Sequence, residues 1–222
     1  AYPQERMISI KENCGMKCVL TNGRLHKAVQ KNMPDGLALL DVDMSRKDAP
    51  SVPWTALSED APACAFYTSG STGRPKGVLI PRRALVSLSA YMEELGDVRQ
   101  GENHLVVAPW TFVASMCNVV PTLCLGKTLH ITDAETATNP ALLYEYSLKN
   151  HIAHAVIPTR LAIAMLNEFG SAEYQCISIG GEPFAGLKNK QMHVLLMNGY
   201  GMTETCAGIT GFQFYANEAP ER

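Results

Sequence analysis

The twelve residues from Tyr67 to Val78, Tyr-Thr-Ser-Gly-Ser-Thr-Gly-Arg-Pro-Lys-Gly-Val, carry four Ser or Thr hydroxyls, three glycines and one lysine directly after an apolar run. Such a loop can wrap phosphates. Glycines let backbone N–H groups approach an anion without a Cβ in the way, hydroxyls add donors, and Lys76 brings a compact positive charge. A flexible Ser/Gly connector is the plain alternative. A connector has no need to combine Pro75-Lys76-Gly77 with apolar segments on both sides, so anion binding is the better reading. The spacing differs from that of the P-loop of nucleotide hydrolases, which needs adjacent Gly and Lys followed by Ser or Thr. Here Gly73 and Lys76 are three positions apart, and Gly77 stands where the magnesium-holding hydroxyl would be.

Other reactive side chains point to less. The seven cysteines are an odd number, and Cys64, Cys124 and Cys176 sit in apolar runs, so they read as reduced core thiols rather than a disulfide framework. Cys14 and Cys18 could share a helical face, but no second Cys/His pair lies near enough to complete a zinc site. His151 and His154 enter an apolar run and read as packing. Nineteen Lys and Arg against 21 Asp and Glu leave a net charge of −2, which gives no electrostatic case for nucleic acid or an anionic membrane. No apolar run approaches the ~20 residues that span a bilayer, and the first residues lack a signal peptide's layout. A cytoplasmic protein is the default expectation.

The elements that must position the loop can be read from periodicity. Residues 5–21 begin helically, with Met7, Ile8 and Ile10 on one face, then turn at Gly15 into a strand at Cys18-Val19-Leu20. Residues 45–62, with Pro50, Pro53 and Pro62, read as a connector. From residue 63 onward short apolar runs alternate with amphipathic stretches, the pattern of βα units on a largely parallel sheet. Strands are expected at Cys64–Tyr67, Val78–Ile80, Leu105–Ala108, Thr128–Ile131, Ala155–Ile157, Ile177–Ile179 and Val194–Met197. Helices are expected over Leu85–Leu95, from a Ser115 cap to Leu125, over Ala141–Leu148 and over Leu161–Phe169. The fold class is α/β.

The Tyr67–Val78 loop as written resembles the signature loop of the adenylate-forming superfamily, which includes acyl-CoA synthetases, luciferases and nonribosomal peptide synthetase adenylation domains. Tyr2-Pro3-Gln4-Glu5-Arg6 is similar to a segment of the peptide synthetase branch. Gly180-Gly181-Glu182-Pro183 resembles the segment lying against the adenine, and Tyr200-Gly201-Met202-Thr203-Glu204 the family's Tyr-Gly-x-Thr-Glu motif. Without the loop, that last stretch would read as an ordinary turn with a solvated acid. The resemblance implies ATP and Mg2+. Thr68, Ser69, Gly70, Ser71, Thr72, Gly73 and Lys76 would hold the β- and γ-phosphates, and Gly180, Gly181, Glu182 and Gly201 would complete the nucleotide site. Tyr200 would stack on adenine, Thr203 would contact the α-phosphate, and Glu204 would bind the metal, with Thr203 and Glu204 as the catalytic pair. It also implies two stacked α/β subdomains, residues 1–100 (partial) and 101–222.

Pro109-Trp110-Thr111-Phe112-Val113-Ala114-Ser115 is similar to the family's Phe-Asp-x-Ser segment, whose Asp pairs with the substrate's α-ammonium. Here that position is Val113. An apolar side chain cannot offset the desolvation of an ammonium, so the expected substrate lacks an α-amino group: a 2-keto, 2-hydroxy or aryl acid. By the same resemblance Phe112, Ala114, Cys117, Ala155, Ile177, Ile179, Gly199 and Ala207 would line the pocket with Val113, although core packing would suit many of them equally. Arg82 stands where a His is usual.

The resemblance also implies parts that these residues do not supply: a ribose-binding Asp, and a mobile C-terminal domain with its catalytic Lys. Ala1 in place of an initiator Met, and the polar end Asn217–Arg222, are expected of a segment of a longer chain, with weak nucleotide binding and little or no adenylation by itself. The implied activity is that of an AMP-forming acid ligase passing its acyl group to a carrier protein's phosphopantetheine thiol. An acyl- or aryl-CoA ligase core and a noncatalytic megasynthase module stay open as alternatives.

Overall fold

The computed structural model describes residues 3–33, 35–44, 53, 55–69, 75–95 and 103–219. In chain order these form α1 (Gln4–Cys14), β1 (Cys18–Thr21), α2 (His26–Asn32), β2 (Ala38–Asp41), β3 (Pro62–Ser69), β4 (Pro75–Pro81) and α3 (Arg82–Leu95). They continue with β5 (Asn103–Val106), α4 (Met116–Cys124), β6 (Thr128–Ile131), α5 (Pro140–Lys149), β7 (Ile152–Val156), α6 (Thr159–Glu168), β8 (Cys176–Gly180), β9 (Leu195–Tyr200) and β10 (Thr210–Tyr215). The fold is α/β. Among the described residues no helix is long and apolar enough to cross a membrane.

The main sheet has the order β10-β9-β8-β7-β5-β6, parallel from β6 to β9 and closed by antiparallel β10. Strand β7 is buried along nearly its whole length, which a parallel strand requires when helices cover both faces. On one face Leu105, Ala155, Ile157, Ile177 and Leu196 meet Leu143 of α5 and Ala162, Met165 and Leu166 of α6 in a shared core. Burying each large aliphatic side chain there contributes roughly 1.5–3 kcal/mol. On the other face Cys176 and Met197 join Val113, and Phe66 and Ile80 of the β3–β4 pair join Leu88 and Met92 of α3, in a second cluster. Helix α3 packs on α4. The two faces therefore serve different purposes: one is a dry core, the other faces the site.

Strands β1 and β2 form a separate parallel pair, and β3 and β4 an antiparallel one. Helix α1 ends as expected at Gly15, whose left-handed backbone (φ 62°) suits a residue without a Cβ. Tyr67 ties this helix to the β3–β4 pair. Its hydroxyl donates to Asn13 Oδ1 (2.7 Å), and Arg6 donates to its carbonyl (3.2 Å).

Several expectations need correction. The Ser115 hydroxyl caps nothing: Ser115 lies in a 3₁₀ turn, Val113–Ser115, with helical backbone, so the hydroxyl reaches back to the Phe112 carbonyl (2.8 Å) rather than forward to an N–H. Cys14, Cys18 and Cys124 are exposed, so only part of the cysteine set is core. Cys14 closes α1 while Cys18 opens β1, so the two share no helical face. Helix α2, strand β2 and the antiparallel β10 arise where no element was expected. Half of the 45–62 connector, residues 45–52 and 54, lies outside the described residues.

Candidate active site

The main sheet changes winding direction between β5 and β7, since β6 lies on one side of β5 and β7 to β9 on the other. At such a switch point the connections after the two strands diverge and leave a crevice at their C-terminal ends. A cavity of about 520 Å³ opens there. Ala108 and Pro109 beyond β5, Val156, Ile157 and Pro158 at the end of β7, and Gly180, Gly181 and Glu182 at the end of β8 line it. Leu88, Tyr91 and Met92 of α3 form the opposite wall.

Glycine shapes one side of the cavity. A Cβ on Gly180 would stand 2.6 Å from the Gly199 carbonyl oxygen of paired β9, and one on Gly201 would overlap the Ala207 carbonyl oxygen. The chain between Gly201 and Ala207 folds back tightly. Thr203–Thr205 make a 3₁₀ turn, and the Thr205 hydroxyl accepts from the Met202 N–H (3.2 Å) and donates to the Met202 carbonyl (3.0 Å). Cys206 and Ala207 then take left-handed backbone, φ 55° and 76°. A non-glycine pair in that region stores strain, and such strain clusters at functional sites.

Strand β4 lies against this turn. In the hairpin, Thr68 pairs with Lys76 and Ser69 with Pro75, so the lysine and two of the hydroxyls sit at one end of the β3–β4 pair. Lys76 and Ser69 are exposed and Thr68 half-buried. Gly70, Ser71, Thr72 and Gly73, which connect the two strands in sequence, lie outside the described residues.

Of the remaining residues singled out from sequence, Phe112, Val113, Ala114, Cys117, Ile179, Gly180, Gly181, Glu182, Gly199, Gly201, Thr203 and Ala207 all line the cavity. Tyr200, at the end of β9, and Glu204 flank it from exposed positions. Ala155 and Ile177 do not line it. Both are fully buried in the core on the other side of the sheet. Side chains alternate along a strand, so an offset of one residue moves a position to the opposite face. The neighbours Val156 and Ser178 line the cavity instead, as does Gly208.

The wall is chemically quiet but not wholly apolar. Val113 is 8% exposed. Burial, with a smaller contribution from nearby Cys206, pushes the Cys117 thiol up to about 12. Cys206 is raised to about 11 by burial and by Cys64, so neither thiol forms a nucleophilic thiolate near neutral pH. Behind the wall the His154 and His104 rings lie 4.9 Å apart, tilted 50° to each other. Burial lowers His154 to about 4, helped by Lys127; burial lowers His104 to about 3, helped by His154 and Lys127. Both rings are therefore neutral. Ser178 is the hydroxyl that links this buried pair to the cavity, through a 3.3 Å contact with His154 Nε2.

Among the described residues no three His, Cys, Asp or Glu side chains gather as a metal cage. Glu182 in the cavity wall and the exposed Glu204 beside it are single carboxylates; Mg2+ is usually held by one or two carboxylates together with substrate phosphates and water. The site thus consists of a glycine-lined crevice at a switch point of an α/β sheet, with a strained hydroxyl-bearing turn in its wall and strand β4 of the hairpin packed on that turn. The AMP-binding enzyme family matches residues 1–222, and the chain belongs to it. It is 30% identical over 220 residues to a linear gramicidin synthase of Brevibacillus parabrevis, covering 96% of this chain and 3% of that one. A nonribosomal peptide synthetase bound to α-methyl-L-serine-AMP superposes with a TM-score of 0.81 at 21% identity, over 96% of this chain and 25% of that one. O-succinylbenzoate coenzyme A synthetase from Bacillus subtilis, in complex with AMP, gives 0.77 at 23% identity, over 95% and 55%. Peptide synthetases dominate the relatives, and the chain spans only a few per cent of their length.

Proposed function

We propose that this chain forms the core of an adenylation domain that activates a carboxylic acid lacking an α-amino group, such as a 2-keto, 2-hydroxy or aryl acid. In the reaction an acid oxygen bonds to the α-phosphorus of ATP and pyrophosphate leaves, giving acyl-AMP. Two anions must meet, so fixed donors and positive charge have to offset their repulsion. Lys76, Thr68, Ser69 and the residues 70–73 are assigned to the leaving pyrophosphate, Tyr200 with Gly180, Gly181, Glu182 and Gly201 to the adenosine side, and Thr203 to the α-phosphate. Mg2+ held by Glu204 would supply further charge neutralisation. The acyl group would then pass to the phosphopantetheine thiol of a carrier protein. We further take residues 1–100 and 101–222 as two subdomains. The confinement of the six-stranded sheet to residues after 102 supports that division.

The observation that carries the substrate class is Val113. It sits on the cavity wall, nearly buried, beside Ala114, Cys117 and Gly199, where an ammonium would lose its water and gain no counter-charge. The test is ATP–pyrophosphate exchange by the full-length protein with keto, hydroxy, aryl and α-amino acids. Exchange is expected with the acids that lack nitrogen. Val113→Asp should lower it for them and raise exchange with α-amino acids, shifting the ratio by about 100-fold, as a buried charge pair can. Preference of the wild type for α-amino acids would refute the assignment.

A further inference from the structure

Ser178, itself 3% exposed, lines the cavity on the same wall as Val156 and Ile179, while the other polar lining residues Glu182, Thr203 and Thr210 belong to other segments. What the Ser178 hydroxyl offers is fixed by the groups behind it. The Val156 N–H donates to Asn118 Oδ1 at 2.8 Å, which settles which end of the Asn118 amide is oxygen. Asn118 Nδ2 then faces His154 Nδ1 at 3.5 Å. An amide nitrogen only donates, so Nδ1 of the neutral ring must accept, and the ring proton resides on Nε2. Nε2 faces Ser178 Oγ at 3.3 Å and donates to it. With one lone pair of Ser178 occupied in this way, its own proton and its second lone pair remain. Cys176, two residues back on the same face of β8, also lies within reach, but a thiol is a weak partner. The chain is tightly held: Asn118 is 1% and His154 3% exposed, and His104, bonded through Nδ1 to the Thr122 hydroxyl at 2.9 Å, backs the His154 ring.

We infer that Asn118 and His154 are positioning residues that aim the Ser178 hydroxyl into the cavity, where it recognises a neutral oxygen, keto or hydroxyl, carried by the acid to be activated. The inference rests on the acid-activating reading above and narrows it. A plain alkyl or unsubstituted aryl acid would leave the hydroxyl proton only the weak Cys176 sulfur as partner, and a poorly satisfied buried donor is what a site built for an oxygen penalises. A keto oxygen can accept from the Ser178 proton. A hydroxyl can do the same or donate to the free lone pair.

The experiment is ATP–pyrophosphate exchange by the full-length protein with matched sets of acids: 2-keto, 2-hydroxy, deoxy and 2-amino forms on one carbon skeleton. The readout is the kcat/KM ratio of the oxygen-bearing acid to its deoxy partner, and circular dichroism establishes that each variant is folded. The wild type is expected to favour the oxygen-bearing acid by about tenfold or more, the size of one buried hydrogen bond. Ser178→Ala should bring the ratio to about one. Asn118→Asp keeps the acceptor for Val156 but cannot donate to His154. It moves the ring proton to Nδ1, turns the Ser178 proton toward the ring, and should cut the ratio about as far as Ser178→Ala. His154→Gln retains a donor toward Ser178 and should keep the ratio within about threefold. An undiminished ratio in Ser178→Ala, or a wild type indifferent to the oxygen, overturns the inference and leaves the acid-activating reading standing. A wild type that prefers the 2-amino acid overturns that reading itself.

Discussion

Gly201 shows how much one missing methyl group decides. A Cβ there would overlap the Ala207 backbone, which cannot move aside, because Cys206 and Ala207 are already held in left-handed conformations. Gly201→Ala is expected to lose roughly 2–3 kcal/mol in urea unfolding, as overpacking does. Gly15→Ala is the control: its φ is also positive, but no atom lies within 4 Å of the added Cβ, so only the backbone cost of about 1 kcal/mol applies. Equal losses would show that the Gly201 contact is not what matters. Lys76 tests the phosphate assignment. It is exposed at the end of the hairpin. In the full-length protein, calorimetric titration with ATP and Mg2+ is expected to show at least a tenfold weaker affinity for Lys76→Ala, the scale of a charge-assisted hydrogen bond. Unchanged affinity would remove Lys76 from the site. The loop and its lysine stand out in sequence as a candidate because Gly, Ser, Thr and Lys crowd into a short span. Val156 and Ser178 do not, since nothing in an apolar run says which of two alternating positions faces the cavity.

Among the elements, β7 and β8 carry the site on one face and the core on the other, and the buried pair His104–His154 sits between β5, β7 and α4. Folding holds both rings neutral, well below their ordinary value of 6.5. The unfolded chain therefore binds protons that the folded one refuses, so stability is fully present above about pH 6.5 and is lost as pH falls toward 4 and then 3. The groups facing the pair are Asn118, Thr122, Ser178 and Lys127, none of them an acid that would reverse the sign. Between pH 7 and pH 5 the loss should be on the order of 3 kcal/mol in urea titrations. It should shrink by about half in His154→Gln; a flat profile in the wild type would contradict the burial argument. The strands of this sheet were readable because β-branched and apolar runs alternate with helical spacing. The seven-residue α2 offers too few turns for a period to show. Strand β10 pairs antiparallel at the sheet edge with most of its side chains exposed, so it lacks the apolar run by which the other strands were recognised.

For the whole molecule, the arrangement is one of convergence: a parallel sheet opens a crevice where its winding reverses, a strained turn forms part of its wall, and strand β4 of the hairpin packs on that turn. Sequence alone could name these pieces but not their meeting, because β4 and the Thr203–Thr205 turn are more than a hundred residues apart and no local signal records their contact. At the centre of the proposed function stands one chemical step, attack of an acid oxygen on the α-phosphorus of ATP. Supplying the full-length protein with ATP and a 2-keto or 2-hydroxy acid labelled with 18O in both carboxyl oxygens, and then transferring the acyl group to a thiol, tests it directly. AMP carrying one labelled oxygen is predicted, since the bridging oxygen of acyl-AMP stays with phosphorus when the acyl–oxygen bond breaks. Label appearing in inorganic phosphate, with ADP as the other product, or AMP formed without label, would contradict it.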